Sequence, residues 1–227
     1  MEFNDDYDLQ QPFAAAEFAE NPEPRCPCLL LLDTSGSMKG EPIEELKRGL
    51  AAFQRDLLAD SMSSKRAEIA VVTFGPVKLV NDFTQVESFE VPDLTASGDT
   101  PMGSAIRFGL DMLRNRKEIL RDNGIKLYRP WIFLITDGAP TDSWKHLIDT
   151  IRQGEEKQSF SFFVLAVSGA NMEILGELAV REPVPLNGVR FREFFLWLSA
   201  SLKAVSRSNP GDKVDLPPHQ PYGWADV

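Results

Sequence analysis

The run Cys28-Leu29-Leu30-Leu31-Leu32-Asp33 constrains this chain more than any other stretch. Consecutive leucines without polar alternation make a strand buried on both faces, the kind found in parallel sheets covered by helices. The run ends in Asp33-Thr34-Ser35-Gly36-Ser37-Met38. A carboxylate is thus delivered to the C-terminal end of the strand. Two hydroxyls follow with one residue between them, and Gly36 frees the backbone to turn.

Amphipathic helices and further apolar strands alternate after it. Pro42 suits the first turn of a helix, with Glu44 and Glu45 near its positive end. Ile43, Leu46, Leu50, Phe53 and Leu57 then recur at helical spacing to about Ala59. Residues 66–74 form the second strand, stopped by Gly75-Pro76. Residues 77–83 read as a more polar edge strand, continued in extended form through 87–91. A turn-rich loop at 97–103 leads into a helix over 104–115, with Ala105, Phe108, Met112 and Leu113 as its buried stripe. Residues 131–136 are another apolar strand, ending on Asp137-Gly138. Thr141 or Asp142 caps the next helix, whose apolar side carries Trp144, Leu147, Ile148 and Ile151. A buried strand at 161–167, a short helix at 172–180 and a short strand at 185–186 follow. The last helix, 190–207, buries Phe191, Phe194, Leu198, Leu202 and Val205.

The fold class is α/β, a mostly parallel sheet with helices on both faces. In such sheets ligands sit beyond the carboxyl ends of the strands, where Asp33 and Asp137 both fall. The expected division is an acidic arm over 1–25, one domain over 26–207 and a proline-rich tail over 208–227. At 227 residues, 43% hydrophobic, the chain has the material for one sizeable core. The net charge of −10 argues against nucleic acid as a partner. Residues 1–25 hold seven of the acids, Glu2, Asp5, Asp6, Asp8, Glu17, Glu20 and Glu23, against Arg25 alone. The acidic N-terminus does not read as a signal peptide, and no apolar run approaches the ~20 residues of a membrane helix. Cys26 and Cys28 are too close to staple a fold, so a cytoplasmic location is expected, with Cys28 packed as a small apolar residue.

Asp33, Ser35, Ser37, Thr100 and Asp137 come from three loops expected at one end of the sheet. Asp-x-Ser-x-Ser, then a lone Thr, then Asp in Thr-Asp-Gly resembles the metal-ion-dependent adhesion site of von Willebrand factor A domains. Gly98-Asp99-Thr100-Pro101-Met102-Gly103 and the stretch Thr136-Asp137-Gly138-Ala139-Pro140-Thr141-Asp142 are similar to bacterial members of that superfamily. The resemblance spans about 26–205 and implies a Rossmann-like fold. It also implies a bound Mg²⁺, with Mn²⁺ as the other ion of choice, and an all-oxygen site suits such hard cations. By resemblance Ser35 and Ser37 bind the metal directly and Thr100 directly or through water. Asp33 and Asp137 act through water or through hydrogen bonds to the hydroxyls. A partner's Asp or Glu completes the shell.

Taken singly, these residues have plainer readings. Asp33 is a turn residue after a strand, Thr100 an N-cap before Pro101, and Asp142 an N-cap of the following helix. It is the joint occurrence of the five that outweighs them. Asp99 departs from the pattern, since many relatives have Gly there. An extra acid either strengthens metal binding or repels an acidic partner. Gly36, Gly98 and Gly138 read as backbone enablers.

Catalysis is not expected. Phosphatases of the haloacid dehalogenase type carry Asp-x-Asp, and here the second position is Ser35; no Gly-Lys-Ser/Thr phosphate loop is present. No serine has a histidine base, with His146 on the exposed side of a helix and His219 in the tail. Arg25-Cys26-Pro27-Cys28 ahead of the leucine strand is most similar to small stand-alone bacterial members related to TerY and YegL. That likeness implies tellurium-resistance or stress-response systems in which protein kinases and phosphatases take part. The leading reading is a metal-dependent protein-binding module, with a scaffold whose metal only stiffens the loops as the alternative and a Mg²⁺-dependent phosphatase third. The arm is either a solubilising or packing segment or a reach of acids to the metal face of a neighbouring copy.

Overall fold

The computed structural model describes residues 18–186 and 190–217. Residues 1–17 of the expected arm, with Phe13, and 218–227 of the tail, with His219, lie outside them. The leucine run sits inside β1 (Cys26–Asp33), whose eight residues are all buried. It is flanked by β2 (Ala67–Phe74) and β4 (Trp131–Thr136), equally buried. With β3 (Lys78–Gln85), β5 (Ser161–Ala166) and β6 (Val184–Pro185), they form one sheet in the order β3-β2-β1-β4-β5-β6. Every pairing is parallel except β2 with β3. That exception puts the most polar strand at an edge, as its composition predicts.

Helices cover both faces. On one side α1 (Glu41–Leu58) and the C-terminal helix α6 (Phe191–Ser206) bury Leu46, Leu50, Phe53, Phe194, Phe195 and Leu198 with Leu30 and Leu32 of β1. On the other, α3 (Met102–Asp122), α4 (Ile148–Glu156) and α5 (Met172–Leu178) meet Leu29, Leu31, Ile132 and Leu134. The four leucines therefore alternate between two cores, which is why none can be polar.

Several expectations shift. A short helix, α2 (Ser61–Arg66), precedes β2, so Arg66 ends a helix rather than opening a strand. Asp60 caps it, accepting from Ser63 N at 2.9 Å. The extended continuation after β3 is broken by a 3-10 turn at Val86–Ser88. Helix α3 is two residues longer at its start and seven at its end than 104–115, and Phe108 is 39% exposed rather than buried. Its inward face is set by Ala105, Ile106, Gly109 and Leu113. A Cβ on Gly109 would come within 2.8 Å of Leu29 Cδ2 and 2.9 Å of Leu31 Cδ2. The absent side chain marks the face of closest approach, and it turns Phe108 outward. The last strand pairs at Val184 and Pro185, one residue earlier than expected.

The terminal segments are anchored at the end of the sheet opposite the Asp33 loop. Arg25, wholly buried, lies 3.2 Å from Glu68, which also pairs with Arg116 at 2.6 Å. Tyr128 donates to Ser208 O at 2.6 Å, and Trp197 Nε1 to Pro217 O at 2.7 Å. The first ten residues of the tail region thus follow the domain surface, with Val214 and Leu216 against the core.

Candidate metal centre

Three loops meet beyond the carboxyl ends of β1, β2 and β4. The β1 loop is held to its neighbours by backbone hydrogen bonds: Thr34 N to Phe74 O, Ser97 N to Thr34 O at 2.7 Å, and Gly36 N to Gly98 O at 3.0 Å. Gly75 is required where they cross. Its φ is +136°, and a Cβ there would lie 2.7 Å from Ser35 N and Thr34 C and 2.8 Å from Ser97 O. Backbone atoms on three sides leave no room for any other residue.

Asp33 lies innermost, fully buried. Its Oδ1 accepts from Ser35 N at 2.8 Å, and its Oδ2 accepts from Thr136 Oγ1 at 2.5 Å. Ser35 Oγ lies 3.0 Å from Ser37 Oγ, and Ser37 donates to Asp137 Oδ1 at 2.7 Å. Ser35 and Thr100 are buried, Asp137 half-buried and Ser37 exposed, so the group opens to solvent on the Ser37–Asp137 side. A Cβ on Gly138 would fall 3.3 Å from Thr100 Oγ1 and 3.8 Å from Asp33 Oδ2. That glycine leaves clear the space between the threonine hydroxyl and the buried carboxylate. All five residues expected from the sequence come together here.

The plainer readings of Thr100 and Asp142 resolve differently. The residue flanking α3 is Pro101, and no side chain of its own caps the helix. Asp142 does so from across the loop: Oδ1 accepts from Gly103 N at 2.8 Å, and Oδ2 from Ser104 N and Ser104 Oγ at 2.7 Å. So Asp142 caps α3 rather than the helix that follows it, which opens with a 3-10 turn at Lys145–Leu147. The 141–144 segment folds back over the start of α3, where Gly103 passes so close that a Cβ would meet Ser143 O at 2.2 Å. The hydroxyl of Thr100 is left to the site. Two supporting residues escaped the sequence reading: Thr136, read only as part of a motif, and Gly75, read only as a strand stop.

The charge balance suits a cation. Burial pushes the Asp33 carboxyl above its ordinary value; the hydrogen bonds from Ser35 and Thr136 oppose this, and the Asp137 charge adds to it. Among the described residues no Lys or Arg forms an ion pair with Asp33 or Asp137. Two carboxylates with three neutral hydroxyls fit a hard divalent ion, and no cluster of three or more His, Cys, Asp or Glu exists among the described residues to hold a softer one. Cys26 and Cys28 are buried inside β1, and burial lifts the Cys26 thiol to about 12. Ser35 and Ser37, with Thr100, are the hydroxyls placed to hold the ion, and Asp33 and Asp137 the carboxylates placed to balance it.

The sheet order, the helices on both faces and the three-loop site lead to one family. The model of the von Willebrand factor type A domain matches residues 29–192. The chain belongs to that family. No curated protein sequence matches the chain significantly. Solved von Willebrand factor A-like structures share the fold at low identity. The pilus adhesin SpaC from Lactobacillus rhamnosus GG superposes with a TM-score of 0.61 at 10% identity, over 80% of this chain and 31% of its own. Proximal thread matrix protein 1 from the mussel byssus gives 0.54 at 14%, over 79% and 48%. Manganese-loaded TRAP of Plasmodium vivax gives 0.51 at 18%, over 76% and 73%. The chain thus spans about half of the mussel protein's length and a third of the adhesin's. Among the described residues no helix is long and apolar enough to cross a membrane.

Proposed function

We propose that this von Willebrand factor A domain binds Mg²⁺ or Mn²⁺ at Asp33, Ser35, Ser37, Thr100 and Asp137, and through it an acidic residue of a protein partner. The observation that carries the reading is the convergence of these side chains about a buried carboxylate that, among the described residues, no Lys or Arg pairs with. The manganese in the TRAP structure supports a divalent ion on this fold. When bound, the ion supplies an electrophilic centre that accepts a carboxylate. The chain's own residues fix its place: Thr136 and the Ser35 N–H orient Asp33, Ser37 links Asp137 to Ser35, and Gly138 keeps the cradle clear.

The site is a binding device and not a catalytic one. His146, the one described histidine, lies 3.0 Å from Arg107 and 3.5 Å from Ser143 Oγ on the α3–α4 side, so among the described residues no histidine serves as base to Ser35, Ser37 or Thr100. The likeness of Arg25-Cys26-Pro27-Cys28 and the site motifs to small bacterial members related to TerY and YegL supports reading the domain as a cytoplasmic adaptor. The partner is then a component of a tellurium-resistance or stress-response complex with kinase or phosphatase members. The net charge of −10 keeps nucleic acid out of this reading.

Titration calorimetry of Mg²⁺ and Mn²⁺ into metal-stripped protein, wild type beside Ser35→Ala, tests the proposal. Saturable binding lost in the variant is the expected result. No binding in the wild type overturns the metal-bearing reading. A metal that only stiffens the loops is distinguished by Asp33→Ala: a large fall in thermal stability with unchanged partner binding would favour the scaffold.

A further inference from the structure

Among the described residues, three of the well-exposed large apolar side chains belong to α3 and the neighbouring edge strand: Phe108 and Ile119 on α3, 39% and 41% exposed, and Leu79 on β3, 40%. Phe108, Met112 and Ile119 are spaced four and seven residues apart, which makes a single stripe along the helix. Leu79 pairs with Val72, which packs in the core beneath α3, so it faces the same side. Single exposed apolar residues need no partner, but a contiguous band points to one.

The foot of the band is already occupied by this chain. Phe18 is buried against Leu120 and Ile125, with the Arg116 guanidinium 5.4 Å from its ring. Three residues on, Asn21 Nδ2 donates to Gln85 Oε1 of β3 at 2.9 Å. The chain therefore enters the domain between the C-terminal end of α3 and β3, with residues 1–17 ahead of that point. From Leu120 up to Met112 is about 12 Å at 1.5 Å per residue. The five residues from Phe18 back to Phe13 span at most about 17 Å, so Met112 lies within the length of that stretch.

Composition selects which part of the arm fits. Residues 9–17, Leu-Gln-Gln-Pro-Phe-Ala-Ala-Ala-Glu, carry one charge, whereas 1–8 carry Glu2, Asp5, Asp6 and Asp8. The outer face of α3 presents Asp111, Glu118 and Asp122 but also Arg107, Arg114 and Arg121, all exposed, so its charge does not choose between the two parts; the apolar stripe itself favours the stretch with a single charge. We infer that residues 9–17 dock along the Phe108–Met112–Ile119 stripe of their own domain, with Phe13 as a second anchor beyond Phe18.

A spin label on Asn115→Cys, an exposed position beside the stripe, tests this in the full chain; Cys26 and Cys28 are fully buried and stay unlabelled. The expected result is paramagnetic broadening of the amide signals of residues 9–13, relieved by Phe13→Ser, while residues beside the Phe18 anchor stay broadened in both. Signals from the sheet must be unchanged in that variant, which shows that the fold is intact. Sharp amides at 9–13 in the labelled chain, or broadening there that survives Phe13→Ser undiminished, would overturn the inference. So would broadening seen when spin-labelled chains without isotope are mixed with unlabelled ¹⁵N chains, since the band would then belong to a second copy.

Discussion

The hydroxyl of Thr136 holds the central carboxylate, and Thr136→Val measures that hold. The variant keeps the branched shape and removes one oxygen. Two hydrogen bonds go with it: the one donated to Asp33 Oδ2 at 2.5 Å, and the one accepted from Gly138 N at 3.2 Å. Both Thr136 and Asp33 are fully buried, so water cannot replace the first. A hydrogen bond to a charged group contributes about 1.5–3 kcal/mol, and an acceptor left buried and unsatisfied costs its desolvation. Gly138 is only half-buried, and its N–H regains a partner from solvent. The methyl group gained in place of the hydroxyl returns about 0.8 kcal/mol of apolar burial. The net expectation is a loss of about 2 kcal/mol, or about 4–8 °C in melting temperature for a chain of this size.

Urea unfolding in chelator reads this without any contribution from metal. The midpoint should fall while the slope, which follows the surface exposed on unfolding, stays the same. Thr136→Ser is the control: it keeps the donor, loses a methyl group and should cost about 1 kcal/mol. Thr136→Val should also weaken Mn²⁺ binding, because the carboxylate it releases is no longer aimed between Ser35 and Thr100. A loss below about 0.5 kcal/mol for Thr136→Val, within the range of an unimportant surface change, would refute the reasoning, as would a loss from Thr136→Ser as large as that from Thr136→Val.

Other perturbations separate the parts of the structure. Asp142→Ala removes the cap on α3 at Gly103 and Ser104 and should cost about 1 kcal/mol in thermal unfolding. Glu68→Gln leaves the buried guanidinium of Arg25 and that of Arg116 facing a neutral group. About 3 kcal/mol should be lost by denaturant titration, with metal affinity at the far end of the sheet unchanged. Asp56 is partly buried, which alone would raise its carboxyl. Hydrogen bonds from Lys203 and Ser199 outweigh this, and the Lys203 charge helps to hold it below its ordinary value. Its contribution is therefore present above about pH 4, the unfolded value, and is lost as pH falls through the lower folded value. Melts taken downward from neutral pH should show an acid limb that Asp56→Asn makes shallower.

The central strands β1 and β4 were legible because each is a nearly unbroken apolar run, and Asp33 at the end of one and Asp137 just after the other point to one end of the sheet; β3 was legible by the opposite sign, its polarity, which suits an edge. Helix α2 was not legible: Ser61–Arg66 has no apolar stripe and depends on Asp60 as a cap and on packing against its neighbours. Asp142 reads locally as a cap for the helix after it, and only a contact across 39 residues assigns it to α3. Phe108 was misplaced because an apolar stripe is found by looking for side chains, whereas α3 meets the sheet through Gly109.

The same asymmetry governs the site. Donors announce themselves, so Asp33, Ser35, Ser37, Thr100 and Asp137 could all be named from spacing and resemblance. The residues that make room do not. Gly75 lets three backbones cross and Gly138 keeps a hydroxyl and a carboxylate facing one space, each by lacking a Cβ. A loop with all five donors but alanine at position 75 would present the same motif and could not bring Ser35 and Ser97 to their places. Competence for metal in this domain is thus a property of donors and vacancies together, and only the first half is written in the residue types that a motif records.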